Sequence, residues 1–194
     1  MANVDGVLPI HLAAEKGFIS ICEMMISNGI SIESVTRKGY TPLLYACTHN
    51  NILDVSKFFL NRGANVNACD FVCKSTPLVE AIYRKDYPLV RLLLSYGAEL
   101  EHRDNTESTP LHWAARAGDL EIMTLLINRG AEVNVQDVLL NTPMHETAGN
   151  GNVEGCKLLC EKGARFDIMN FEGKKIRFWT QIEKYIKTNR SPFY

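Results

Sequence analysis

An all-α solenoid of stacked repeats is the fold class this sequence predicts, and three observations carry the prediction. Proline recurs at Pro9, Pro42, Pro77, Pro110 and Pro143, spaced 33, 35, 33 and 33 residues apart. Glycine follows at Gly29, Gly63, Gly97, Gly130 and Gly163, each 20 or 21 residues after its proline. Between the two markers, a small-residue segment gives way to an apolar stripe, the pattern of two successive helices. A period near 33 residues marks one supersecondary unit stacked on copies of itself.

Each element of the unit has a local reason. Threonine before the proline, as in Thr41-Pro42 and Thr109-Pro110, caps the first N–H groups of a helix. Proline at the first helical position costs no hydrogen bond there. The small pairs Ala13-Ala14 and Ala114-Ala115 let the first helix approach its neighbours closely. A stripe such as Val90, Leu92, Leu93 and Leu94 buries the second helix, and the glycine after it suits a left-handed helix end. Segments such as Ala64-Asn65-Val66-Asn67 then lead into an extended hairpin. The repeats are expected over 3–35, 36–68, 69–102, 103–135 and 136–168, with a C-terminal cap over 169–188 and a flexible tail over 189–194. The whole of 1–188 is expected to form one domain.

Four of the five prolines stand in Thr41-Pro42-Leu43, Thr76-Pro77-Leu78, Thr109-Pro110-Leu111 and Thr142-Pro143-Met144. The fourth repeat continues as His112-Trp113-Ala114-Ala115, then Gly118-Asp119-Leu120-Glu121, then Asn128-Arg129-Gly130-Ala131. This resembles the ankyrin repeat, whose core reads T-P-L-H-x-A. The resemblance covers roughly residues 3 to 168, and a degenerate sixth copy begins near Asn170-Phe171-Glu172-Gly173. It implies a helix–turn–helix–hairpin stack that binds other proteins and performs no reaction. It also assigns His11, His112 and His145 to a hydrogen bond tying helix to hairpin.

The departures from the pattern are this chain's own. Gly6 and Gly39 precede their prolines by three residues, but Lys74, Glu107 and Leu140 stand at that place later, so those hairpin turns are expected to differ in shape. One extra residue falls near His49-Asn50-Asn51 and another near Cys69-Asp70-Phe71. Lys85 replaces the inter-helix glycine of repeat three, and Pro88 opens its second helix. The first repeat has an apolar outer side through Phe18, Ile19 and Met24-Met25-Ile26. Ile176, Trp179, Ile182 and Ile186 fall at helical spacing near the C-terminus, as expected of a capping helix or of a partner-binding one.

Composition limits the function classes. The 194 residues carry a formal net charge of −1, which lacks the basic excess of a nucleic-acid binder. No run approaches the roughly 18 to 20 apolar residues of a membrane span, so no membrane insertion is expected. Met1-Ala2-Asn3-Val4-Asp5 has no signal-peptide character, and a cytoplasmic or nuclear home is expected. Cys69-x₃-Cys73 and Cys156-x₃-Cys160 lie two repeats apart, too far to close one tetrahedral site. Neither metal nor cofactor is expected, and with no nucleophile elbow or phosphate loop the chain reads as a non-enzyme.

Function is then expected on the face formed by hairpin tips and first helices, where the resemblance implies the partner docks. The register brings forward Arg37, Lys38, Tyr40, Tyr45 and His49 from repeat two, Tyr83 and Arg84 from repeat three, and Trp113 and Arg116 from repeat four. Tyr, Trp and Arg are the types enriched in binding hot spots. Tyr40 and Tyr45 read equally well as packing side chains. The local basic excess favours an acidic or phosphorylated protein or peptide as partner. A scaffold or adaptor leads, and a stoichiometric inhibitor of an enzyme such as a kinase, or a host-directed effector of a pathogen, is the alternative. Asn134, in Ala131-Glu132-Val133-Asn134 with Leu126 upstream, resembles the hairpin asparagine that asparaginyl hydroxylases modify in ankyrin repeats.

Overall fold

The computed structural model describes residues 2–49 and 52–173. Among them ten α-helices run in pairs and no strand occurs. The pairs are α1 (Pro9–Glu15) with α2 (Ile19–Ser27), α3 (Pro42–Cys47) with α4 (Leu53–Asn61), and α5 (Pro77–Tyr83) with α6 (Tyr87–Ser95). Next come α7 (Pro110–Ala117) with α8 (Leu120–Asn128) and α9 (Pro143–Gly149) with α10 (Val153–Glu161). The all-α repeat solenoid expected from the sequence is the architecture observed. The chain divides into two compact units, Met1–Glu99 with α1 to α6 and Leu100–Tyr194 with α7 to α10. The C-terminal helix expected near Trp179 lies outside the described residues.

Every first helix starts on its proline. The Thr41 hydroxyl accepts the Leu44 N–H at 3.2 Å, and Thr76 accepts that of Val79 at 3.4 Å. Where histidine stands in the third helical position, its ring joins the cap. Nδ1 of His11, His112 and His145 accepts the N–H of Leu8, Thr109 and Thr142 at 3.1, 3.2 and 3.1 Å. Nε2 of His11 then donates to the Ser34 and Tyr40 carbonyls, each at 3.0 Å, and that of His112 to Asn141 at 3.1 Å. These bonds tie a first helix to the hairpin that follows it. In each unit the first helices pack on one another, α1 on α3 and α3 on α5, then α7 on α9.

Three second helices, α6, α8 and α10, start on short polar caps, with Asp86, Asp119 and Asn152 accepting the N–H of Leu89, Ile122 and Gly155. Their apolar stripe is fully buried at Val55 and Phe59, at Leu89 and Leu93, and at Ile122 and Leu126. Each such side chain contributes about 1.5–3 kcal/mol. The first repeat differs, leaving Phe18 54% and Met24 56% exposed, as its sequence implies.

The hairpins are closed by one residue's side chain each. Asn3 Oδ1 accepts the N–H of Asp5 and Val7, both at 2.9 Å, and Thr36 Oγ1 accepts that of Tyr40 at 3.1 Å. Asp104 accepts Thr106 and Ser108, and Asp137 accepts Leu139 and Asn141. Asp70 takes three, from Val72, Cys73 and Ser75 at 2.7, 2.8 and 2.6 Å, because its hairpin is one residue longer. The extra residue therefore lies between Asp70 and Ser75.

The expectation of differently shaped turns is corrected by the backbone at Glu107 and Leu140, while the Lys74 hairpin does differ, being one residue longer. Lys74, Glu107 and Leu140 all adopt the left-handed conformation, with φ of 57°, 58° and 58°, as Gly39 does at 84°. Glu107 N–H bonds Asp104 O and Leu140 N–H bonds Asp137 O, just as Gly39 N–H bonds Thr36 O. The bonded turn dictates the backbone at that place, and the side chain accepts the cost. Lys85 does the same between α5 and α6, at φ 55°. Gly39 has a second requirement: a Cβ there would lie 2.6 Å from the Phe71 ring. Gly39→Ala is expected to lose about 2 kcal/mol or more, from the left-handed penalty and the displaced ring. Lys85→Gly is expected to change stability by less than about 1 kcal/mol, strain relief being offset by backbone entropy. Urea unfolding of both variants checks the contrast.

Candidate functional site

Successive hairpin tips are joined by backbone bonds that set their spacing. Arg37 N–H donates to Asp5 O at 2.9 Å and Phe71 N–H to Lys38 O at 2.8 Å in the first unit. In the second unit Val138 N–H donates to Thr106 O at 3.0 Å and Phe171 N–H to Leu139 O at 2.8 Å. Behind the tips of the first unit lies a concavity of about 350 Å³. Asp5 enters it from the turn before α1, Lys38 and Tyr40 from the next hairpin, and Tyr45, Thr48 and His49 from the end of α3. Four of the sequence-predicted residues, Lys38, Tyr40, Tyr45 and His49, are thus brought together.

Tyr45 is the centre of that wall. Its ring meets Tyr40 edge-on at 6.2 Å and His11 edge-on at 5.7 Å, and lies tilted against His49 at 5.5 Å. Each tyrosine is half-buried by its neighbours and also lines the concavity. The Thr48 hydroxyl donates to Tyr45 O at 2.8 Å. His49 Nδ1 lies 3.0 Å from that same carbonyl and 2.9 Å from Thr48 Oγ1. Acceptors on both sides make Nδ1 the protonated nitrogen, which leaves Nε2 facing Glu15 at 3.9 Å.

Burial raises the Tyr45 phenol above its ordinary pKa, and the carboxylates of Glu15 and Asp5 raise it further. Tyr40 is raised by burial and then by Asp70 and Glu80. Lys16 pairs with Glu15 at 2.7 Å. At the edge of the same unit Arg84 Nη1 donates to Thr48 O at 2.9 Å, and Tyr83 stands 69% exposed.

Trp113 and Arg116 belong to the second unit and form a braced plate. Trp113 Nε1 donates to Asp104 at 2.8 Å, and the Arg116 guanidinium lies over its ring at 4.8 Å. Glu146 accepts Arg116 Nε and Nη2 at 3.1 and 2.8 Å. Burial works to raise the Asp104 pKa, but the bonds from Thr106, Trp113 and Ser108 outweigh it and leave the group below its ordinary value. The sequence reading missed Asp5, Glu15 and Asp104. Asp104 had a signal, since Asp70, Asp104 and Asp137 recur 34 and 33 residues apart.

Asn134 is half-buried in its hairpin. Its Nδ2 donates to Gly163 O at 3.3 Å and its Oδ1 accepts the Arg165 N–H at 2.7 Å, a bracket onto the next repeat. Among the described residues no three His, Cys, Asp or Glu side chains are placed to hold a metal ion. No described helix is long and apolar enough to cross a membrane. Burial pushes the Cys22 thiol up to about 11 and the Cys47 thiol up to about 12, so both remain protonated at neutral pH.

The model for the family described as "Ankyrin repeats (3 copies)" matches residues 1–70, 57–137 and 78–170. The chain is an ankyrin-repeat protein. It is 31% identical over 102 residues to a protein of Acanthamoeba polyphaga mimivirus named as the ankyrin repeat protein L371, covering 53% of this chain and 13% of the relative. To the ankyrin repeat and SOCS box protein 11 of Homo sapiens it is 32% identical over 96 residues, 50% of this chain and 29% of the relative. To the palmitoyltransferase ZDHHC13 of Pongo abelii it is 31% identical over 108 residues, 51% and 17% of the two chains. The chain therefore spans under a third of each of these relatives' lengths. Ankyrin repeats are protein-interaction modules, and this chain carries the family's defining stack.

Burial holds the His11 and His112 pKa values below the ordinary 6.5. The unfolded state then binds more protons than the folded one below that value. Stability is full above about pH 6.5 and declines as pH falls beneath it. The melting temperature is expected to be lower at pH 5 than at pH 7.5. His112→Gln is expected to show a smaller difference in the same calorimetric scan.

Proposed function

We propose that this ankyrin-repeat protein is a non-catalytic binding module, a scaffold or adaptor that holds a protein or peptide on its hairpin tips and first helices. The observation that carries the reading is the concavity of about 350 Å³ lined by Tyr40, Tyr45 and His49, with exposed Tyr83 in the same unit. Tyrosine and histidine offer broad area at low rotamer entropy, and the tip-to-tip bonds hold them in place before a partner arrives. Trp113 and Arg116 supply a second contact surface in the other unit, already rigid through Asp104 and Glu146. An acidic or phosphorylated partner draws support from exposed Arg37 and Lys38. Arg84 and Arg116 support it less, since Thr48 and Glu146 engage them. A cytoplasmic or nuclear setting suits such a module. Asn134 is its proposed hydroxylation position, in a hairpin whose asparagine also has the structural role given above.

Two measurements test this reading. Capture from native lysate with the intact chain is expected to recover a protein that a Lys38→Ala, Tyr83→Ala variant recovers at least several-fold less, and a Trp113→Ala, Arg116→Ala variant less as well. Both variants must first give the parent's far-ultraviolet circular dichroism. Equal recovery by all three would move the site off this face. Intact-mass analysis of the protein from native cells is expected to show one added oxygen, mapped to Asn134, and its absence would end that assignment.

A further inference from the structure

We infer that the concavity of the first unit takes a two-charge segment of the partner, a basic side chain toward Asp5 beside an acidic one toward Lys38. The inference rests on the reading of this face as a protein-binding surface and names the chemistry it recognises. Asp5 and Lys38 line one concavity from adjacent tips, yet they form no ion pair with each other. Among the described residues neither side chain makes a hydrogen bond or an ion pair. Both backbones are nonetheless fixed. The Asp5 carbonyl holds the Arg37 N–H at 2.9 Å, the Lys38 carbonyl holds the Phe71 N–H at 2.8 Å, and Asn3 closes the turn under Asp5. Two opposite charges are thereby displayed on rigid tips, and a partner is left to satisfy them.

The surroundings give the pocket its polarity. On the α1 side Glu15 stands near the Tyr45 phenol with Asp5, and Lys16 is held by Glu15 at 2.7 Å. A guanidinium or ammonium entering here meets the Tyr45 face, the Asp5 carboxylate and the Nε2 edge of His49. On the hairpin side Arg37 stands next to Lys38, both exposed, and a carboxylate there meets two cations. A ligand of one charge satisfies one end and leaves the other opposed, whereas a bipolar segment satisfies both.

The test uses the intact chain and four blocked tripeptides as probes, followed by NMR shifts of the Tyr45 ring and the His49 imidazole at constant ionic strength. Ac-Arg-Gly-Glu-NH₂ and Ac-Glu-Gly-Arg-NH₂ carry both charges in either order, while Ac-Arg-Gly-Gln-NH₂ and Ac-Gln-Gly-Glu-NH₂ carry one each. At least one bipolar peptide is expected to bind about three- to fivefold tighter than either single-charge peptide, the worth of one exposed ion pair. Asp5→Asn is expected to remove the advantage contributed by arginine, and Lys38→Gln that contributed by glutamate. Single-charge peptides that match the bipolar ones, absent shifts at Tyr45 and His49, or variants that keep the preference would each overturn the inference. Lysate capture that still depends on Tyr83 would then leave the binding-module reading standing, and loss of that dependence would remove both.

Discussion

One oxygen-bearing side chain under each hairpin is the constraint on which the rest of this structure depends. Asn3, Thr36, Asp70, Asp104 and Asp137 occupy the same place in successive repeats and take up N–H groups that a tight tip turns inward. An unsatisfied N–H there would cost about 1–3 kcal/mol, so the oxygen decides whether the tip closes. Within each unit a closed tip has its next carbonyl free to accept from the following hairpin, and those bonds space the repeats. Helices spaced in this way bury Leu89, Leu93, Ile122 and Leu126 completely. The apolar stripe supplies most of the free energy, while the polar tips determine where the stripes meet.

The same scaffold explains why the proposed binding face is rigid. Tyr45 is held by His11, Tyr40 and His49, and His11 is itself anchored to the Ser34 and Tyr40 carbonyls. Trp113 is held by Asp104, the residue that closes its hairpin. A hairpin-closing carboxylate and the Trp113 ring are thus one network in the second unit. Groups ordered before a partner arrives lose little entropy when it does, which is how a small surface reaches useful affinity.

The sequence and the structure part company over charge. Counting residue types placed Arg37, Lys38, Arg84 and Arg116 on one face as a basic excess. In the folded chain Arg84 caps the carbonyl of Thr48, and Arg116 lies in a fork with Glu146. Asp5 and Glu15, which no motif marks, reach the Tyr45 phenol from the turn and helix of the preceding repeat. Such effects are invisible in sequence because the partners lie about one repeat apart, 30 residues for Arg116 and Glu146.

The period, the proline entries, the capping threonines and the apolar stripes are local, and the sequence by itself determined them, and with them the fold class. Side-chain types at Tyr40, Tyr45, Tyr83 and Trp113 were equally legible, because the register assigns their face. Only the tertiary structure decided that Glu107 and Leu140 keep the turn of Gly39, since the bonded tip, rather than the residue's own preference, sets φ. It alone decided which cations are engaged and that Asp5 and Lys38 share a concavity without pairing. Propensity and period act over a few bonds of chain, whereas charge pairing acts across the stack, where a residue's neighbours come from the next repeat.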